Sequence, residues 1–233
     1  MSKTVLLGLC LSLALSAQQA YVTQTKTQRL EFPAGGLLRV NHTTGDLTIE
    51  GSDQPDIEIN VTKATKNEFA PQDQPDGMAE LDRVRLMPER KGNELTLTET
   101  YPVHGHFLMF PGNTRFYLQT HISVPRNARL EIQGAGDLYI YNVTGAIDAN
   151  LSLGTILLRM PEQGRYQIDA KSKFGGVTSD FAGTEHRTRW QVGHDFTTPG
   201  TAGQKLRLRA GYGDIIILKS RRPEYPAPAR PTS

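Results

Sequence analysis

Five stretches of the chain repeat one pattern: two apolar residues at alternate positions, a short gap, a glycine, then two more alternating apolar residues. The copies are Leu38/Val40–Gly45–Leu47/Ile49, Leu130/Ile132–Gly136–Leu138/Ile140, Ile147/Ala149–Gly154–Ile156/Leu158, Ile168/Ala170–Gly175–Val177/Ser179 and Leu206/Leu208–Gly213–Ile215/Ile217. Alternation with period 2 marks strands with one buried face. A glycine at each junction is expected where the chain needs positive φ or close backbone approach. The repeat therefore predicts coils of two short strands joined at a glycine corner, each coil too small to bury its own apolar face and dependent on stacked neighbours.

Glycine spacings of 18, 21 and 38 residues separate Gly136, Gly154, Gly175 and Gly213. The last is close to two periods, and Trp190 and Val192 alternate ahead of Gly193 within it as a degenerate further copy. A period of about 19 residues is that of stacked coils. The expected fold is all-β, a β-solenoid or single-stranded β-helix-like stack, with a flattened two-sheet β roll or sandwich as the alternative.

The first 20 residues read as a secretory signal peptide. Lys3 precedes an apolar run from Val5 to Leu15, and Ser16-Ala17-Gln18-Gln19-Ala20 offers small-residue cleavage sites. The run is too short for a membrane span. The single cysteine, Cys10, lies in this run behind Leu9, not behind the small residue of a lipid-attachment site, so the exported chain would contain no cysteine and no disulfide. What remains is nearly charge-balanced, with no basic patch interleaved with aromatics, which gives nucleic-acid binding no support. No second apolar run approaches the length of a transmembrane anchor.

A single domain over residues 21–220 is expected. Tyr21 to Phe32 starts the sheet or caps the first coil, and Ile57 to Val61 adds a third strand to the first repeat. An insertion at 63–115 would hold a polar loop to Gly77, a helical turn at Met78 to Asp82, a hairpin turning at Glu89-Arg90-Lys91-Gly92-Asn93, and a loop from Tyr101 to Asn113. Phe116 to Val124 reads as a long strand. Residues 221–233 carry Pro223, Pro226, Pro228 and Pro231 and read as a disordered tail, because proline cannot donate to a ladder.

Leu81-Asp82-Arg83-Val84-Arg85, the hairpin to Leu95, the run Ser123-Val124-Pro125-Arg126-Asn127-Ala128-Arg129-Leu130-Glu131-Ile132 and the segments ending Gly-Asp-apolar together resemble the bacterial family labelled "putative adhesin". The resemblance spans roughly Leu37 to Ser220. It implies a β-solenoid-like fold in an exported or envelope protein, and it transfers no catalytic residues. The chain departs from the pattern at Phe107 to Phe110 and at the weak copy near Gly193.

Several residues invite chemistry. Gly134-Ala135-Gly136-Asp137-Leu138 and Gly211-Tyr212-Gly213-Asp214-Ile215 are similar to calcium-binding β-roll turns, but those rolls repeat every nine residues, and a turn aspartate more often bonds nearby backbone N–H groups. His104-Gly105-His106 lacks the further ligands a zinc or copper site needs. No metal and no cofactor is assigned. Phe107-Leu108-Met109-Phe110 reads as a lid over one end of the stack, or else as a partner or lipid contact. Asp148 and Asp169 occupy one place in successive repeats and would have to converge for glycosidase chemistry; two exposed acids on a sheet are more simply solvated.

The function expected is thus non-catalytic: an exported protein binding an envelope or surface partner, protein or glycan, through outward rows of Arg129, Glu131, Tyr139, Tyr141, Asp148, Arg159, Asp169, Lys171, Arg207 and Arg209. The alternatives are an envelope regulatory or scaffold protein and a polysaccharide-active enzyme. Nothing in the pattern sets an oligomeric state.

Overall fold

The computed structural model describes residues 19–42, 44–100, 116–187, 193–200 and 202–220. In the first half, β1 (Ala20–Leu30), β2 (Leu37–His42), β3 (Asp46–Ser52) and β4 (Ile57–Phe69) lead through a short 3-10 turn into α1 (Gln74–Asp82). The hairpin β5 (Arg85–Lys91) and β6 (Glu94–Thr100) follows, and then β7 (Phe116–Pro125). The repeat block supplies β8 (Arg129–Gly134), β9 (Asp137–Tyr141), β10 (Ile147–Leu153), β11 (Ile156–Pro161), β12 (Tyr166–Phe174) and β13 (Val177–Ser179). Two short strands, β14 (Thr184–Arg187) and β15 (His194–Thr197), precede β16 (Gln204–Tyr212) and β17 (Ile215–Ser220).

These strands form two mixed sheets. Sheet I has the order β1-β4-β7-β3-β9-β11-β17-β13, and sheet II the order β14-β15-β12-β16-β10-β8-β2-β6-β5. Each repeat copy puts its first strand in sheet II and its second in sheet I, so a copy is one rung crossing from sheet to sheet at its glycine. The alternating apolar residues meet between the sheets. Leu38, Leu130, Ile147, Leu206 and Ile168 stand in register on one side, and Leu47, Leu138, Ile156, Ile215 and Val177 on the other. All ten are buried.

The rungs do not stack in chain order. The last copy, β16/β17, lies between β10/β11 and β12/β13, so Leu138 and Ile156 are neighbours but Val177 is reached only through Ile215. β6 and β7 add a sixth rung, parallel to β2 and β3 and outside them. The two-sheet alternative describes this arrangement, whereas a solenoid wound copy upon copy does not. Its physical cause is the equivalence of the copies: every rung offers the same apolar pattern and the same free ladder edge, so sequence adjacency does not choose the neighbour.

Three local expectations are corrected. The chain after Val61 is not a loop; β4 runs on to Phe69, keeping Lys63 and Thr65 on its buried side, and the helix begins earlier, at Gln74. The chain after Gly193 does not cross into sheet I as the second half of a rung would: β15 pairs antiparallel with both β12 and β14, and β14 ends sheet II. Trp190 and Val192 lie outside the described residues, as do residues 1–18, His104, His106, Phe107, Leu108, Met109, Phe110 and the chain beyond Ser220. The hairpin around Gly92 forms between β5 and β6, and β5, an edge strand, accommodates Pro88.

The corner glycines form a column. A Cβ built on Gly136 would lie 2.2 Å from the Gly45 carbonyl oxygen, one on Gly154 would lie 2.1 Å from that of Gly136, and one on Gly213 would lie 2.1 Å from that of Gly154. Gly175 stands in the same relation to Gly213, also at 2.1 Å. Close approach of successive corners, together with φ of +103° at Gly136 and +116° at Gly154, requires glycine there.

Beside this corner, at the third inward position of β2, lies His42, whose side chain is fully buried. Its Nδ1 is 2.8 Å from Glu99 Oε1 and its Nε2 is 3.1 Å from the Gly45 carbonyl. Both ring nitrogens thus face acceptors.

Candidate functional site

Strand alternation fixes what each sheet shows to solvent, and it divides the expected binding face in two. Arg129, Glu131, Asp148, Asp169, Lys171, Arg207 and Arg209 lie on strands β8, β10, β12 and β16 of sheet II, whereas Tyr139, Tyr141 and Arg159 lie on β9 and β11 of sheet I. The first half of each rung had to be separated from the second, because the chain changes sheets at the glycine.

The sheet II face is largely paired with itself. Arg39, Glu131, Asp148, Arg207 and Asp169 form one cross-strand row. Arg39 bridges Glu94 and Glu131, the latter at 2.7 Å, and Arg207 approaches Asp148 at 3.5 Å. Arg209 pairs with Asp169, Lys171 with Asp195 at 3.1 Å, and Arg129 Nε donates to the Gly35 carbonyl at 3.2 Å. Cross-strand pairs of this kind each contribute roughly 0.2–1 kcal/mol and leave little free charge for a partner. Asp148 and Asp169 are not neighbours: β16 intervenes and sets Arg207 between them. The two acids therefore stand two strands apart with an arginine between them, not side by side as their places in successive copies suggested.

Sheet I carries a different face. Because Leu138 and Ile140 point into the core, Tyr139 and Tyr141 point out, and the register sets Asn60, His121, Thr48, Tyr139, Leu157 and Ile216 side by side across six strands. A groove of about 440 Å³ lies between Tyr139 and Tyr141 on one side and Asn60, Thr62, Gln119 and His121 on the other, with Asp46 and Thr48 in its floor. Its volume is in the range of small-ligand sites, roughly 300–1,000 Å³.

The groove combines aromatic and hydrogen-bonding surface. The Tyr139 hydroxyl is pushed above its ordinary pKa by burial first and then by the carboxylates of Asp137 and Asp46, so it stays a hydrogen-bond donor. Arg159 lies over the Tyr141 ring, 5.7 Å from its centroid. His121 Nε2 is 3.7 Å from Glu50 Oε2 at the rim. His121 was missed in the sequence because a lone histidine on a strand has no spacing signature; only the register of β7 against β3 brings it to the tyrosines.

The turn aspartates bond to the neighbouring rung. Asp137 Oδ1 accepts from Thr155 N at 2.7 Å, and Asp214 Oδ1 accepts from Gly176 N at 2.7 Å. Among the described residues, no group of three or more histidine, cysteine, aspartate or glutamate side chains could hold a metal ion, and no helix is long and apolar enough to cross a membrane.

No protein-family model matches the sequence, and no curated protein matches it. Among solved structures, the chain is similar to a "putative cell adhesion protein" from Clostridium sporogenes ATCC 15579, at 12% identity over 84% of this chain and 100% of that one, with a TM-score of 0.48. It is also similar to a "putative adhesin" from Bacteroides fragilis NCTC 9343, at 11% identity over 84% and 97% of the two chains, with a TM-score of 0.30. A "putative lipid binding protein" from Parabacteroides distasonis ATCC 8503 is similar at 10% identity over 84% and 97%, with a TM-score of 0.23. Likenesses this distant do not assign a function.

Proposed function

We propose that the chain is an exported, non-catalytic binding protein that engages a glycan of the cell envelope through the outer face of sheet I. The observation that carries this reading is the groove between Tyr139/Tyr141 and Asn60, Thr62, Gln119 and His121. Sugar rings offer apolar C–H faces and a rim of hydroxyls. An aromatic wall buries the former, while amide, hydroxyl and imidazole groups satisfy the latter. The secretory signal peptide expected in residues 1–20 would support export, and the self-paired charges of sheet II favour sheet I as the contact surface.

Tyr139→Ala is expected to weaken retention on immobilised envelope polysaccharide by about tenfold, the loss of one aromatic contact of roughly 1.4 kcal/mol. The melting temperature should change little, because the ring points away from the core. Unchanged retention in Tyr139→Ala and Tyr141→Ala would overturn the assignment of this face. Release of shortened saccharides from the polysaccharide would overturn the non-catalytic reading, and capture of one membrane protein in place of glycan would favour a regulatory role.

A further inference from the structure

The two sheets part at one end, where the edge strands β1 of sheet I and β5 of sheet II do not pair with each other. Between them lies a groove of about 610 Å³, distinct from the tyrosine face. Ile59, Val61, Val84, Leu86 and Met87 line it as an apolar floor, and Gln24, Lys26, Gln28, Lys63 and Arg85 add polar and cationic groups. The placement follows from register: Gln24, Lys26 and Gln28 face Lys63, Val61 and Ile59, so β1 turns a polar row toward the side on which β4 buries its apolar residues.

Lys63 is the decisive residue. It is only 7% exposed, and its ammonium donates to Gln24 Oε1 at 2.9 Å and to the Leu81 carbonyl at 3.0 Å. No carboxylate is in salt-bridge contact with it among the described residues. Asp82, the one acid lining the groove, has its Oδ1 engaged by Gln24 Nε2 at 2.7 Å. Burial draws the lysine below its ordinary pKa; Asp82 opposes this, and Lys26 and Arg85 add to it. An inward-pointing lysine on an edge strand guards against sheet-to-sheet aggregation, which accounts for Lys26 on β1. It does not account for Lys63, which lies on the interior strand β4. Burying an ammonium with two neutral acceptors is costly, and an anion at this spot would offset that cost.

We propose that the groove binds a single-chain anionic amphiphile of the long-chain fatty acid class, its acyl chain along Ile59, Val61, Val84 and Leu86 and its carboxylate toward Lys26, Lys63 and Arg85. Three cations against one acid select the anion, and the apolar floor selects the chain. The site lies apart from the glycan face, so either assignment can fail alone.

Titration of the full chain with monomeric palmitate, followed by calorimetry, tests the proposal. Saturable binding near one equivalent is expected, with hexadecanol and inorganic phosphate each weaker by about tenfold or more, since each offers only half of the recognition. Lys26→Glu/Arg85→Glu, at two exposed positions, is expected to abolish palmitate binding with little change in melting temperature, and Tyr139→Ala to leave it intact. Lys63→Met keeps an unbranched stem as far as Cε, removes the ammonium, and should weaken palmitate more than hexadecanol. Equal affinity for palmitate and hexadecanol, palmitate binding that survives the double charge reversal, or binding to anionic phosphatidylglycerol vesicles without binding to monomeric palmitate would each overturn the proposal.

Discussion

Gly154→Val is expected to destabilise the fold by about 3–5 kcal/mol, the range of the most damaging single substitutions. In a domain of this size each kcal/mol lowers Tm by about 2–4 °C, so the variant should melt roughly 6–20 °C early. Two effects combine. A φ of +116° is strained for any side chain and most of all for a β-branched one, and the new Cβ would lie 2.1 Å from the Gly136 carbonyl oxygen. That neighbour is backbone and is itself fixed by the next rung, so it cannot give way cheaply. Gly92, with a φ of +59° and nothing within 4 Å of a built Cβ, is the control. Gly92→Val shares the strained φ but not the collision and should cost clearly less. Equal losses at the two positions, read by thermal denaturation, would remove the glycine column from the account.

Glu99→Leu is expected to cost about 3–5 kcal/mol, because it strands a buried histidine whose partner has gone. The pair also predicts a pH dependence. Burial alone would lower the His42 pKa, but the hydrogen bond and charge of Glu99, the Gly45 carbonyl and Asp46 outweigh it and hold the group above its ordinary value near 6.5. The geometry gives the reason: with acceptors at both ring nitrogens, only the imidazolium satisfies both. The folded pKa thus exceeds the unfolded one, so the stabilisation is complete below the ordinary value and is lost as pH rises through the raised value. Urea denaturation at about pH 5.5 and about pH 9 should show the wild type losing stability across that window, and Glu99→Gln should flatten the slope. A slope unchanged in Glu99→Gln would assign the dependence to other groups.

The parts of this molecule legible in its sequence are those encoded over a few residues. Leu138, Ile140, Ile156 and Leu158 announce their burial by alternation, and Gly136 and Gly154 announce corners, because period and positive φ are local properties. The order of rungs is not local. β10 and β16 are separated by some fifty residues, and nothing in Ile147/Ala149 distinguishes Leu206/Leu208 from Ile168/Ala170 as its neighbour. The continuation of β4 past Val61 was hidden because Lys63 and Thr65, which are polar, take inward positions that alternation assigns to apolar side chains. The candidate sites were legible only in part for the same reason. Tyr139 and Tyr141 could be read as outward-facing, but their grouping with Asn60, Gln119 and His121 rests on pairings among four separate strands, and the cationic groove rests on where two edge strands end.

The order of rungs decides which side chains share each outer face, and a pair of engineered disulfides tests it directly. Position 148 is opposite 207 and two strands away from 169. Adjacent strands lie about 4.8 Å apart, within disulfide reach, whereas two spacings exceed the limit of about 7 Å. In a chain whose only natural cysteine is Cys10, Asp148→Cys/Arg207→Cys should oxidise readily to an intramolecular disulfide, and Asp148→Cys/Asp169→Cys should remain reduced. Efficient bridging of 148 to 169, with none between 148 and 207, would show rungs stacked in chain order and contradict the structure described.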